Sequence, residues 1–317
     1  MRARSAFALV LLAALPLAAQ TFQYPTQTAP AGAREAKQAI LLAKTEADAL
    51  GLATRFNGVV GIGVKDLTSG ESWFHNGDEV FPTASTIKVA ILLELLHQSD
   101  QGKLKLSEEV PIRRAMVTGD RELLSDFGDG TTTMSLHDIA ATMVALSENS
   151  AANILMDRVG IANVNAELRS LGVTHTLLRR HMLDLPPARV GNENISTPRD
   201  MLALFAAVYR GRALSPASRH EFFDLLEIPD KSGTMLTAGI PDSVPVANKP
   251  GWLEGVRCDC GLVFEPRRPY EICVFSTYDQ NVADAQRMIG DVSRLWYQYF
   301  HRIALGSEYG RQLPPPR

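Results

Sequence analysis

The chain has 317 residues, 45% of them apolar and 21% charged, with a formal net charge of −3. Such a composition is that of a globular chain, long enough for one large domain or two intimate ones around a sizeable core. With no block of like charge and no basic stripe interleaved with aromatic residues, nucleic-acid binding is disfavoured.

Arg2 and Arg4, the apolar run from Ala6 to Leu15, and the small residues Ala18 and Ala19 have the three regions of a secretory signal peptide over residues 1–20. The run is too short to span a bilayer, and Pro16 breaks it. Cleavage after Ala18, Ala19 or Gln20 would take the net charge from −3 to −5, because both arginines leave with the peptide. No cysteine follows the run, so neither a lipid nor a helical anchor is expected, and a periplasmic or secreted protein is. Residues 21–33 read as a flexible leader. Ala36, Ile40, Ala43, Ala47 and Leu50 then recur at helical spacing, predicting a helix from about Arg34.

Gly58 to Lys65 alternates as a strand, Thr68-Ser69-Gly70 turns, and Ser72 to Phe74 begins a second strand. Phe81 to Ala84 reads as a loop, after which Ser85-Thr86-Ile87-Lys88 opens an apolar helix. A serine at a helix N-terminus meets outward-pointing N–H groups, and a lysine three residues on lies on the same face. Burial lowers a lysine pKa, so this spacing suits an activated nucleophile. From there to about residue 228 helical patterns dominate, with caps at Ser135, Thr197 and Ser215. Strands return at Val244 to Lys249, Val256 to Phe264 and Tyr270 to Tyr278, before a last helix carrying Val282, Ala285, Met288, Ile289, Val292, Leu295 and Trp296. Residues 306–317, ending in a proline run, read as a disordered tail.

The three cysteines, Cys258, Cys260 and Cys273, allow one disulfide at most. In a hairpin Cys273 falls opposite Cys260, while buried free thiols fit the pattern equally well. There is no HExxH or CxxC and the seven histidines are scattered, so no metal or other cofactor is expected. Strands and helices at both ends predict one α/β subdomain from 34–84 and 229–305, and the middle predicts an all-α subdomain over 85–228. A cleft should form where the two meet, with Ser85 at the junction.

Two more motifs accompany Ser85. Ser147-Glu148-Asn149 falls between the predicted helices Leu136 to Leu146 and Ala151 to Val159, where a hydroxyl and an amide can face a cleft; as plain helix caps, the same residues would need no ligand. Lys249-Pro250-Gly251 lies on a strand, and Gly251 permits close backbone approach. Serine, lysine, serine, asparagine and lysine in this order resemble the class A β-lactamases and penicillin-binding proteins, and the resemblance runs over nearly the whole mature chain. It implies an α/β (α+β) serine β-lactamase-like fold: an antiparallel sheet flanked by the terminal helices, plus the all-α insertion.

It further implies acyl transfer at a β-lactam or D-alanyl amide carbonyl by what is expected to be a monomer. Ser85 would attack with Lys88 as base or relay, and Ser147, close to Lys249, would pass a proton to the leaving nitrogen. Asn149 would hold the substrate's side-chain amide, Lys249 would attract its carboxylate, and the N–H groups of Ser85 and Trp252 would form the oxyanion hole. Arg257 could grip the carboxylate bidentately, or be a solvated strand charge. A D,D-peptidase or related amidase, and a penicillin-binding or sensing protein that stays acylated, are the alternatives to a β-lactamase.

Three residues or segments depart from the family pattern. Glu148 stands for aspartate, and Pro250 stands where a hydroxyl residue would otherwise bind carboxylate. The loop before Thr197-Pro198 lacks the family's Glu-x-x-x-Asn, whose glutamate activates the deacylating water. Ungapped alignment puts His181 and Leu185 at those two positions, and Asp184, His181 or Glu193 are the substitutes on offer, Asp184 foremost.

Overall fold

The computed structural model describes residues 32–119, 122–227 and 235–312. The expected signal peptide and residues 313–317 lie outside them. Helix α1 (Ala33–Arg55) leads into strands β1 (Val59–Asp66) and β2 (Ser72–His75), and the chain closes with β7 (Val246–Leu253), β8 (Val256–Val263), β9 (Tyr270–Thr277) and helix α9 (Val282–Leu305). These strands form one antiparallel five-stranded sheet in the order β2-β1-β9-β8-β7. The N-terminal hairpin thus docks on the last strand, and β7 is left at an edge.

Period-two alternation sorts the sheet's side chains onto two faces. Val60, Ile62 and Val64 of β1 and Tyr270, Ile272 and Val274 of β9 pack with Ile289, Val292, Trp296 and Phe300 of α9. Cys273 and Phe275 point the other way, into a larger core shared with the helices between β2 and β7. Cys260 and Cys273 sit opposite each other in the β8–β9 register and are joined by a disulfide, which leaves Cys258 as a buried free thiol.

That second core is built round helix α2 (Lys88–Asp100), in which every residue from Lys88 to Leu96 is buried. A helix apolar on all sides belongs at the centre of a domain. Its leucines and isoleucines stabilise the fold by roughly 1.5–3 kcal/mol each. Against it pack α3 (Leu136–Ala145), α4 (Asn149–Val159), α5 (Ile161–Ser170) and α8 (Pro216–Glu227), while the short α6 (Leu185–Arg189) precedes α7 (Pro198–Tyr209), which lies on β1, β8 and β9. Ser135 and Thr197 cap α3 and α7 by accepting from Asp138 N and Asp200 N.

The helical region also holds short strands that no alternating pattern announced. These are β3 (Phe81–Pro82) with β6 (Ile195–Ser196), and β4 (Glu109–Pro111) with β5 (Thr133–Ser135). Two or three residues are too few to display a period. Gly61 of β1 makes room for the first pair: a Cβ there would come within 2.5 Å of the Phe81 ring and 2.9 Å of Pro198. At the other end, residues 306–312 close a small turn, with Gly306 bridged to Gln312. Among the described residues no helix is long and apolar enough to cross a membrane.

One side chain on the inner face of β9 conflicts with its surroundings. Glu271 is wholly buried, and neither carboxyl oxygen has a hydrogen-bond partner in the protein. Burial pushes its acid from the ordinary 4.5 up to about 8. The folded state therefore keeps a proton that the unfolded chain releases, and stability falls as pH rises across that window. Glu271→Gln cannot ionise, so its stability advantage over the wild type should grow by about 1–3 kcal/mol between pH 5 and pH 8. Urea unfolding at the two pH values measures this, and a constant difference would show that Glu271 does not govern it.

Candidate active site

Ser85 sits half-buried in a 3-10 turn (Ala84–Ile87) that runs into α2, so the helix proper begins at Lys88. Ala84 is held at φ 46°, a left-handed conformation that alanine adopts only under constraint. The constraint is visible on both sides. Thr83 donates its N–H and its hydroxyl to Asn194 O at 3.0 and 3.1 Å, and Thr86 Oγ1 donates back to Thr83 O at 2.6 Å. The serine is thereby fixed at the floor of a cleft of about 500 Å³, lined also by Glu122, Ser147, Asn149, Glu193 and Trp252.

Ser147 joins α3 to α4 with φ 56°, and this left-handed turn presents both its carbonyl and its hydroxyl to two lysines. Lys88 Nζ donates to Ser147 O, to Asn149 Oδ1 at 2.9 Å and, more weakly, to Ser147 Oγ at 3.4 Å. Lys249 Nζ reaches the same hydroxyl at 3.0 Å from β7. Lys88 is fully buried, and its pKa is pushed down to about 7 by that burial first and by Lys249 second. Near neutral pH a large share of Lys88 is then the free amine, able to accept a proton.

Glu148 does the work of a cap. Its buried carboxyl accepts from Ser150 N at 2.7 Å, Ala151 N at 3.3 Å and Leu124 N at 3.1 Å, so the extra methylene relative to aspartate is absorbed by backbone donors. Glu122 is a cleft residue that no motif signalled. It accepts from Asn149 N at 2.8 Å and from Asn149 Nδ2 at 2.6 Å.

Gly251 lies against the nucleophile. A Cβ at this position would meet Ser85 N at 2.8 Å, Thr83 O at 2.9 Å and Cys258 Sγ at 2.9 Å. Two of those atoms are backbone, so Gly251→Ala must displace the Ser85 amide. If that amide is an oxyanion donor, acylation should fall by about 100-fold, as loss of one such donor does. Penicillin-labelling kinetics measure it, and an unchanged rate would remove the amide from the mechanism.

Trp252 is half exposed at the cleft mouth. Arg257, opposite Trp252 in the β7–β8 register, is buried, and its Nη1 donates to Leu253 O at 2.7 Å and Val256 O at 2.6 Å, bracing the β7–β8 turn.

The loop between α5 and α7 presents Met182, Leu183 and Leu185 to the cleft. Two of its polar groups are engaged by other partners. His181 Nε2 lies 2.8 Å from Asp157 Oδ1, away from the cleft, and Asp184 precedes α6, between the cleft-lining Leu183 and Leu185. Glu193, of the three expected substitutes, borders the cleft, and it is ion-paired with buried Arg180. Among the described residues no cluster of histidine, cysteine and carboxylate could hold a metal ion.

Comparison with known proteins agrees with this arrangement. The family model described as the beta-lactamase enzyme family matches residues 43–300. Beta-lactamase CARB-3 of Pseudomonas aeruginosa is 28% identical over 211 residues, covering 66% of this chain and 72% of that protein. Among solved structures, PBP-A superposes with a TM-score of 0.75 at 27% identity, over 82% of this chain and 96% of that one. An ancestral class A β-lactamase gives 0.75 at 30% identity, over 81% of this chain and all of that one, 100%. With the matched segment running from α1 to α9 and enclosing the Ser85, Ser147 and Lys249 motifs, this chain belongs to the beta-lactamase enzyme family, as a class A-like serine hydrolase.

Proposed function

We propose that the protein is an exported serine hydrolase that opens β-lactam amides through an acyl-enzyme on Ser85. The observation that carries the reading is the pair of lysines converging on Ser147 beside Ser85: Lys88, lowered to about 7, and Lys249, 3.0 Å from the hydroxyl. Lys88 as the free amine takes the Ser85 proton while the oxygen bonds to the carbonyl carbon, and the N–H groups of Ser85 and Trp252 receive the developing oxyanion. Ser147 gives its proton to the departing nitrogen and is resupplied from a lysine. Lys249 supplies positive charge for the substrate carboxylate, a role that Arg257, bonded into its hairpin, is poorly placed to share.

The exposed Leu123, Leu146, Leu183 and Leu185 at the cleft favour a substrate with an apolar acyl side chain. A specific observation favours a second reading beside the first. Two of the loop's polar groups are paired elsewhere, which suits a protein that acylates readily and deacylates slowly. Incubation with a chromogenic cephalosporin and a fluorescent penicillin separates the cases. Turnover of the first marks a β-lactamase, durable labelling by the second marks a penicillin-binding protein, and indifference to both would overturn the assignment.

A further inference from the structure

We propose that Glu122 is a positioning residue for Lys88: sharing one proton with Glu148, it holds Asn149 so that the asparagine carbonyl faces the lysine, and it fixes one negative charge beside the amine. The proposal rests on the reading of Lys88 as the base, but its geometry stands independently of the substrate. Asn149 is bound at both ends of its amide. Its Oδ1 accepts from Lys88 Nζ at 2.9 Å and its Nδ2 donates to Glu122 Oε1 at 2.6 Å, while Glu122 Oε2 takes the Asn149 N–H at 2.8 Å. An asparagine gripped in this way cannot flip, since flipping would set its NH2 against the lysine.

Two carboxyl groups that hydrogen-bond one another need one proton between them. Glu122 and Glu148 grip neighbouring backbone donors, Asn149 N and Ser150 N, and burial first and Glu122 second push the Glu148 carboxyl up to about 7, so the proton rests on Glu148. The Glu122 carboxyl is held below its ordinary value despite its own partial burial, by the Glu148 hydrogen bond first, then by the two bonds from Asn149. The charged groups that act on Lys88 are thus Lys249 from β7, which disfavours its ammonium, and Glu122 and Glu148, which favour it. One shared negative charge against Lys249 leaves Lys88 poised near neutrality.

The test reads Lys88 directly, by the pH titration of its Cε resonance in lysine-labelled protein, assigned by its loss in Lys88→Ala. Glu148→Gln removes the shared proton but leaves the Glu122 charge, and the Lys88 midpoint should fall by less than in the double variant. Glu122→Gln combined with Glu148→Gln removes the charge and leaves Asn149 one amide acceptor in place of two carboxylate oxygens, and the midpoint should fall by about one unit, the size of effect one nearby charge exerts. A purely structural role for Glu122 would not move this midpoint. An unmoved midpoint in the double variant overturns the proposal.

A carboxyl-carbon titration of the unsubstituted protein gives an independent reading. Glu122 and Glu148 should move together, with one proton lost near neutral pH, and two separate titrations in the ordinary carboxylate range would also overturn it. Penicillin labelling of Ser85 is followed in parallel. A shifted midpoint without any labelling upholds the pair and removes the acyl-enzyme reading instead.

Discussion

Ser85→Ala should leave a folded protein unable to form any covalent adduct with a reactive penicillin. The two conditions for a clean result are both met by the local structure. Ser85 lies on the first turn before α2, where alanine is a good substitute for helix continuity, and among the described residues its hydroxyl holds no structural hydrogen bond. The neighbouring Thr83 and Thr86, which do carry the structural bonds, are untouched. Intact-mass analysis should show full labelling of the wild type and none of the variant. Label retained on Ser85→Ala would mean that another hydroxyl, Ser147 being nearest in role, is the nucleophile. Lys88→Ala separates base from packing: acylation should slow by ~100-fold or more if the amine takes the proton.

The parts of this site that were legible in the sequence are those in which one residue type does one job at a fixed chain distance. Ser85 and Lys88 are three residues apart, Ser147 and Asn149 two, and Gly251 follows Lys249 by two, so local geometry brings each set to one place. The fold was legible for a related reason. The strands of the main sheet alternate over four to eight residues and the helix caps are local, so period and punctuation sufficed.

Where partners are distant, the chain order carried no signal. Glu122 reaches Asn149 across 27 residues from a segment with no period, and nothing in its surroundings marks it as a cleft residue. Arg257 alternates on its strand as a carboxylate-binding residue would, yet its long side chain folds back onto carbonyls one and four residues away. The Cys260–Cys273 pairing was legible in part: a hairpin sets the two opposite, as the register has them, but buried free thiols fitted the same pattern.

The loop before α7 yields the prediction that decides how the protein uses its acyl-enzyme. Hydrolysis of the ester needs a water activated by a base close to Ser85, worth roughly 100- to 10,000-fold in rate. Of the loop's polar residues, His181 is engaged by Asp157, and Glu193 borders the cleft with its carboxylate paired to Arg180. Beside Glu193, Arg180 and Asn194, the loop lines the cleft with Met182, Leu183 and Leu185, whose apolar side chains cannot activate a water. Acylation should therefore outrun deacylation by ~100-fold or more. With benzylpenicillin, product should appear as a burst equal to the enzyme present, followed by slow steady turnover, and the adduct should persist in intact-mass spectra. Asp184→Asn should slow the second phase if that carboxylate, between the cleft-lining Leu183 and Leu185, is the substitute base, and should leave both phases unchanged if it is not. Glu193→Gln discriminates further: a slower second phase with an unchanged burst would make that carboxylate the residual base despite its ion pair. Rapid steady turnover with no burst would mean that the ester is hydrolysed by a route independent of this loop, with Lys88 the nearest group able to drive it.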